Sequence, residues 1–356
     1  MDGKSRSGDW ALLSDWALDL IFRKLPSISD CLCFSLVCKP WFSFVSNNYD
    51  VLQQRINSSS IEELPLLINF TDEDICFAAY PLNRCVGSSH GWLAFQQRGF
   101  DSFFLFNPFS GETINLPNLK IYTDKVTLSK NPSTNPHDFE VAALCKNLDR
   151  GESLAILKPG NKTWFRISFR GRRPCDVIYY NERYYVVFTE GSIFSIDNTD
   201  NPTVRHEIAP PPSMYTVLEF YLQFYLVKTT TNELLRVERS PPSPSSSVKI
   251  CKLVTSPKTQ TSMFVDVDNL GDEALFVCHN GSTSVSASKF PGCKPNSIYY
   301  MDRSYTQSRF DNFHYSVDHI NLQDRSSHTQ FSFFQKFNIA PRALWIIPTP
   351  KVTTTS

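Results

Sequence analysis

A strand, a short turn and a second strand recur along most of the chain after residue 65, and this repetition limits the folds available to it. The clearest copy, GWLAFQQRGFDSFFLFNPFSGETINLP, predicts strands at 92–96, 103–106 and 112–116. Looser copies follow at intervals of about 40 residues, with almost no helical periodicity. A lone four-stranded sheet leaves exposed edges and an uncovered face, so repeated sheets favour radial packing. We predict a mainly β protein with a β-propeller of five or six blades.

A β-sandwich is the alternative fold, although roughly 280 residues of meander is long for one sandwich. We group 163–169 with 176–197 as one unit and 262–288 as another. The segment RALWIIP at 342–348 predicts a last strand, which would close the ring by joining a blade that also contains PLLINF at 65–70. The stretch at 239–247, rich in proline and serine, predicts an exposed loop.

Residues 10–44 form the part of the sequence that favours helices. Ser14 and Asp15 can cap a first helix, and Leu18, Ile21, Phe22 and Leu25 recur at the spacing of one apolar face. Pro26 ends that helix, Ser29 and Asp30 can cap a second, and Pro40 can begin a third. Each helix is shorter than the roughly 12 to 15 residues at which isolated helices become even marginal. We therefore expect part of the apolar surface of this module to dock on another protein.

The module resembles an F-box. The resemblance rests on Trp10, Leu13, the first helix, then Asp30, Leu32 and Phe34, and the run Val37-Cys38-Lys39-Pro40-Trp41. Ser14 stands where that family usually has proline, and Pro40 where it usually has serine. The resemblance implies binding to a Skp-type adaptor, which links to a cullin scaffold. The residues expected in the adaptor surface or in the small core beneath it are Leu13, Leu18, Leu25, Pro26, Leu36, Val37 and Trp41.

The strand-rich region also resembles a known family. CVGSSHGWLAF, FLFNPFSGETINLP and FPGCKPNSIYYMD are similar to the kelch-like β-propeller domain, of the KIB type, that follows F-boxes in many plant proteins. These are turn and packing motifs, so they identify a fold more than an activity. We expect an F-box at 8–48, a linker at 49–64, a propeller at 65–350 and a disordered tail at 351–356.

Composition narrows the classes of partner. Lysine plus arginine equals aspartate plus glutamate, 35 each, which argues against nucleic acid or an anionic membrane surface as a partner. Ten cysteines lack paired C-x-x-C spacing, and no run approaches the roughly 18 apolar residues needed to span a bilayer. We expect an intracellular protein of the nucleus or cytoplasm, with reduced thiols and with no cofactor or metal.

Several motifs could carry chemistry, and each also has a structural interpretation. Gly87 to Gly91 fits the G-x-S-x-G nucleophile elbow with Ser89 as nucleophile, but a strand follows where that motif needs a helix. A backbone turn is the favoured interpretation. Neither Cys31, Cys33 and Cys38 nor His314 and His319 have the arrangement of metal ligands. The basic cluster of Arg166, Arg170, Arg172 and Arg173 is interpreted as a solvated loop, with contact to an anionic partner as the alternative. The acidic cluster of Asp266, Asp268, Asp272 and Glu273 lacks the spacing of a calcium site and is interpreted as solvated.

The resemblances imply a substrate-receptor subunit of an SCF-type ubiquitin ligase that is not itself an enzyme. The helical module would bind the adaptor, and the propeller would present an unknown target protein. One alternative is a binding protein that sequesters or inhibits its partner, which the missing proline favours. A third hypothesis is an enzyme that uses the central channel of the propeller, and titratable side chains clustered around that channel would favour it.

Overall fold

The computed structural model describes the chain in segments, and within them three helices precede twenty-three strands. The described residues are 12–25, 28–35, 37–48, 50–51, 66–68, 83–97, 99, 102–147, 151–197, 204–208, 222–240, 248–255, 262–290, 292–305, 312–336 and 344–347. The predicted loop at 241–247, the end of the 239–247 stretch, and the predicted tail at 351–356 lie outside the described residues.

The helices are α1 (Asp15–Phe22), α2 (Ile28–Ser35) and α3 (Lys39–Asn47). Ser14 is the N-cap of α1, and its hydroxyl accepts a hydrogen bond from the Ala17 N–H at 3.4 Å. Pro40 lies in the first turn of α3, where its missing N–H costs no hydrogen bond. Helix α2 begins before the predicted caps, so Ser29 and Asp30 lie inside its first turn and not ahead of it.

Four blades are four-stranded antiparallel sheets whose strands follow the chain order. They are β2 (Asn83–Ser89), β3 (Trp92–Gln97), β4 (Phe103–Phe106) and β5 (Thr113–Leu116); β6 (Tyr122–Leu128), β7 (Val141–Asn147), β8 (Gly151–Leu157) and β9 (Phe165–Ser168); β10 (Pro174–Tyr180), β11 (Arg183–Phe188), β12 (Ile193–Asp197) and β13 (Val204–Ile208); and β14 (Gln223–Lys228), β15 (Leu234–Arg239), β16 (Val248–Thr255) and β17 (Ser262–Asp266).

The fifth blade has five strands and a different order, β19-β18-β20-β21-β22. Its strands are β18 (Glu273–Val277), β19 (Thr283–Ser286), β20 (Ser297–Tyr305), β21 (Asn312–Asn321) and β22 (Ser327–Lys336). The chain enters at the second position, turns inward to β19, and returns through a 3-10 turn at Ala287–Lys289. Strand β20 therefore runs parallel to β18, the one parallel pairing among the described strands.

The prediction of a mainly β protein with a propeller is confirmed, and the blade number is five. The first strands of successive blades begin at residues 83, 122, 174, 223 and 273, so most intervals are nearer 50 residues than the predicted 40. Two groupings were wrong. Strand β9 belongs to the second blade and not with 176–197, and β17 belongs to the fourth blade and not with 273–288. Turn residues indicate where the chain reverses direction, but they do not indicate whether the turn connects two strands of one blade or two neighbouring blades.

Each pair of neighbouring blades shares one hydrophobic cluster. Successive side chains of a strand point to opposite faces of its sheet. In β7, Val141 and Ala143 pack toward the first blade, whereas Ala142 and Leu144 pack toward the third. Because both faces of a blade are covered, a strand such as β18 is buried along its whole length. A fifth cluster joins the last blade to the first and also contains buried helix residues.

Ring closure uses both ends of the described propeller. Strand β1 (Leu66–Ile68) pairs antiparallel with β23 (Leu344–Ile346), with Leu67 opposite Trp345. The prediction that these two strands meet is confirmed, but they form a separate two-stranded sheet instead of joining a blade. The Ser88 hydroxyl donates to the Trp345 carbonyl at 2.6 Å, and the Trp345 indole donates to the Val277 carbonyl at 3.4 Å. Strand β23 thus links the first blade to the fifth.

Candidate partner-binding surface

Three large apolar side chains are exposed in and just before helix α1. The exposed fractions are 79% for Leu12, 73% for Trp16 and 43% for Leu20. Trp16 and Leu20 are four residues apart in α1 and therefore lie on one side of the helix, and Leu12 lies just before it. Val37, in the short connection between α2 and α3, is also exposed, at 44%. We call Leu12, Trp16, Leu20 and Val37 the apolar stripe.

The opposite side of α1 is buried. Leu18 and Phe22 are buried, and Phe22 contacts Phe34 and Phe44 with ring centroids 5.4 and 6.1 Å apart. Phe34 in turn lies 4.4 Å from Trp41 by the same measure. These buried helix residues belong to the cluster that contains side chains of the first and fifth blades and of β23. The module therefore has a core continuous with the propeller and a second apolar surface that faces solvent.

The seven residues predicted from sequence separate into four groups. Leu18 and Trp41 are buried in the core, and Leu13 and Leu25 are half-buried against it. Val37 is exposed. Pro26 and Leu36 lie outside the described residues.

Sequence reasoning missed Leu12, Trp16 and Leu20, which together with Val37 are the large apolar side chains exposed in the described part of the module. A signal was present in the sequence. These three residues repeat every fourth position, as do Leu18 and Phe22, so the helix carries two apolar sides where a single core needs only one. Only burial shows which side remains uncovered.

The G-x-S-x-G motif runs from the end of β2 into the hairpin turn before β3, in agreement with the favoured interpretation as a turn. His90 and Gly91 both have positive φ, 53° and 77°, which matches a tight hairpin and not an entry into a helix. The Ser89 hydroxyl accepts a hydrogen bond from the Leu128 N–H at 3.2 Å. This hydrogen bond therefore links the first blade to the second.

Members of the remaining candidate groups have partners within the fold. Among the described residues, no group of histidine, cysteine, aspartate or glutamate side chains could hold a metal ion. His319 is buried, and its Nε2 lies 3.0 Å from the Ser297 hydroxyl. Arg172 pairs with Glu190 at 3.4 Å. The prediction that Glu273 is solvated was wrong, because it is buried and its carboxylate accepts a hydrogen bond from the Thr230 N–H.

The described helices are all short. None of them has the length and apolar character required to cross a bilayer. The helices pack against the blades, with which they share a hydrophobic core.

Comparisons with known proteins agree with this architecture. A family model described as the KIB1-4 beta-propeller matches residues 67–326. One Arabidopsis thaliana protein named as an F-box protein is 23% identical over 361 residues, which cover 93% of this chain and 98% of that protein. A second is 24% identical over 381 residues, which cover 92% and 98%. An F-box/kelch-repeat protein of the same plant is 26% identical over 157 residues, 42% of this chain and 39% of that protein.

The family match spans the first four blades and the fifth blade up to β21, and it ends just before β22 and β23. Both relatives that align over nearly their whole length carry F-box names, in agreement with the helical module that precedes the blades here. With these two features together, the chain belongs to the KIB1-4 β-propeller family of F-box proteins.

Proposed function

We propose that this protein is the substrate-receptor subunit of an SCF-type ubiquitin ligase, and that the apolar stripe is its docking surface for a Skp-type adaptor. The observation that carries the proposal is the exposure of Trp16, Leu20 and Val37 on a module whose other side is already buried. Relatives that match nearly the full chain are named as F-box proteins, and binding such an adaptor is what an F-box implies.

Trp16 is the expected centre of this surface. Tryptophan combines a large apolar area with an N–H donor, and it is enriched among the few residues that dominate binding energies. A residue of this size with 73% of its surface in water is a poor contributor to the chain's own stability. Burial by a partner would recover roughly 2 kcal/mol or more from this side chain alone.

The propeller would hold a target protein beside the adaptor. The core residues of the propeller already pack between neighbouring blades, so the loops at either rim would determine which target protein binds. Ubiquitin transfer would take place on other subunits. The contribution of this chain would be positional, because tethering raises the effective concentration of the target near the transferring enzyme.

The test is pull-down of a Skp-type adaptor by the full chain carrying Trp16→Ala and Leu20→Ala. We expect adaptor affinity to fall at least about 30-fold, the effect of losing a dominant interface residue. The matched control is Met263→Ala, which removes an exposed apolar side chain from β17 of the fourth blade, 62% exposed. Adaptor affinity unchanged in the double variant would contradict the proposed surface.

A second candidate function is sequestration of a partner without its delivery for ubiquitination. Ser14, in the place where F-boxes usually carry proline, caps α1 through its hydroxyl and favours this candidate. Co-purification of a cullin with the full chain distinguishes the two. Recovery of adaptor and cullin together supports the ligase subunit, whereas a partner recovered without cullin supports sequestration.

A further inference from the structure

A cavity of about 460 Å³ opens at one mouth of the central channel. It is lined by the ends of the inner strands β2, β6, β10 and β14 and by the turn that leads into β19. Residues Trp345 to Ile347 complete its wall. All five blades therefore contribute to this space, which we call the channel pocket, and it is separate from the helices of the apolar stripe.

The charged groups of the channel pocket have one sign. Among its described lining residues are Lys125, Lys130 and Lys228, and no aspartate or glutamate. Two of the three lysines have partners outside the lining. Lys125 is buried in an ion pair with Asp176, and Lys130 pairs with the exposed Asp138 at 2.5 Å.

Lys228 differs from the other two. It lies at the end of β14 and is exposed, and among the described residues no carboxylate forms an ion pair with its ammonium group. Across the pocket, His90 reaches solvent yet has enough protein around it that desolvation lowers its pKa. The positive charge of Lys228 adds to that lowering of the pKa of His90. The pocket is thus electropositive at neutral pH, with Lys228 as the source that is not neutralised.

The rest of the wall is apolar with hydroxyl groups between. Ile178 and Ile347 supply the apolar part, and Ser282 and Thr283 supply hydroxyls. Pockets for small molecules combine a mainly apolar wall with a few convergent polar groups. A cation without a counter-ion at such a wall is complementary to an anion that carries an apolar body.

We propose that the channel pocket binds a small organic anion, with Lys228 as the counter-ion and the side chains of Ile178 and Ile347 as the apolar wall. The geometry that supports this is a cavity shared by five blades, three lysines without a lining carboxylate, and one lysine free of a carboxylate partner within the described chain. This binding function is additional to adaptor docking and does not depend on it.

The probe is 8-anilinonaphthalene-1-sulfonate, an apolar ring system with one negative charge, titrated into the full chain by fluorescence. Its neutral analogue N-phenyl-1-naphthylamine, which lacks the sulfonate, is titrated in parallel. We expect Lys228→Gln to weaken binding of the sulfonate about five- to tenfold, the loss of one ion pair that is partly screened by water. Binding of the neutral analogue should not change, because it has no charge for Lys228 to contact.

Lys162→Gln is the matched control, since Lys162 is exposed in the turn between β8 and β9 and is not part of the pocket. It should bind both probes as the unaltered chain does. Lys228→Arg, which keeps the charge, should retain sulfonate binding, and unchanged binding of the neutral analogue by Lys228→Gln excludes misfolding as the cause of its loss. Sulfonate titrations that superimpose for the unaltered chain and Lys228→Gln would overturn the proposal, as would an equal loss of the neutral analogue.

Discussion

Asp176 carries a charge at a position from which the fold excludes water. It lies on β10, the inner strand of the third blade, and is fully buried. Its carboxylate pairs with Lys125 on β6 and accepts a hydrogen bond from the Leu226 N–H on β14 at 2.9 Å. One side chain thus connects the inner strands of three consecutive blades. Burying a charge is tolerable only because these partners compensate for the lost hydration.

Asp176→Asn should lower the free energy of unfolding by about 3 to 5 kcal/mol, because Lys125 would keep its charge without a counter-ion in a buried site. Urea unfolding measures this loss. Asp138→Asn, which alters the exposed pair with Lys130, is the control and should leave stability unchanged.

The double variant Lys125→Met with Asp176→Asn separates the pair from the hydrogen bonds around it. It removes both buried charges, so we expect it to regain part of the stability lost in Asp176→Asn. A double variant less stable than the single one would show that the hydrogen bonds of Asp176 matter more than its charge.

Strand β23 is the element that decides whether the ring is closed. Trp345 packs its ring against Phe276 with centroids 5.0 Å apart and donates its indole N–H to Val277 in the fifth blade. Its carbonyl accepts from Ser88 in the first blade. In addition, the Ser88 N–H donates to the Asn280 carbonyl at 3.2 Å, a direct bond between those blades. Because β23 closes the ring, neither the first nor the last blade is left with an uncovered face.

Trp345→Ala should lower the free energy of unfolding by about 3 to 5 kcal/mol, because it removes a buried tryptophan from the contact between the first and last blades. Thermal unfolding followed by circular dichroism measures the loss. Trp16→Ala makes the same chemical change at an exposed site, and we expect it to leave the melting temperature within a degree or two. Equal shifts in the two variants would contradict the closing role of β23.

At the scale of the whole molecule, the helices and the propeller share a core. Buried helix residues such as Phe22 and Phe44 lie in the same cluster as Phe95 and Phe104 of the first blade and Phe276 of the fifth. Helices of eight or nine residues are too short to be stable alone, so this packing is what holds them. It also fixes the direction in which the apolar stripe faces.

Phe22→Ala should therefore destabilise the propeller as well as the helix that contains it. We expect one cooperative transition in urea, shifted by about 3 kcal/mol or more, with the fluorescence of buried tryptophans such as Trp92 and Trp345 changing together with the far-ultraviolet signal. Leu20→Ala, on the exposed side of α1, is the control and should cause little shift. A separate early transition of the helices, with the propeller unaffected, would contradict a shared core.

Local sequence was sufficient to predict the strands and many of the turns. The predicted strand at 103–106 and the strand at 92–96 agree with β4 and β3 to within a residue, because alternating aromatic residues and turn residues act over short distances. Between the predicted strands 103–106 and 112–116 the chain reverses at Asn107, whose side chain accepts a hydrogen bond from the Phe109 N–H at 2.8 Å. The blade boundaries could not be predicted, because membership in a sheet depends on pairing with strands far along the chain.

The candidate sites also combine features that local sequence predicts with features that depend on contacts between distant parts of the chain. The residue pattern determined that a short helical module with excess apolar surface precedes a propeller, since helix periodicity and caps are local properties. Tertiary structure alone decided that Leu18 is buried while Trp16 is exposed, because the propeller covers one side of α1. It also brought Lys228 and His90, 138 positions apart in the chain, to one pocket. Only closure of the ring places the inner strands of distant blades around a common axis.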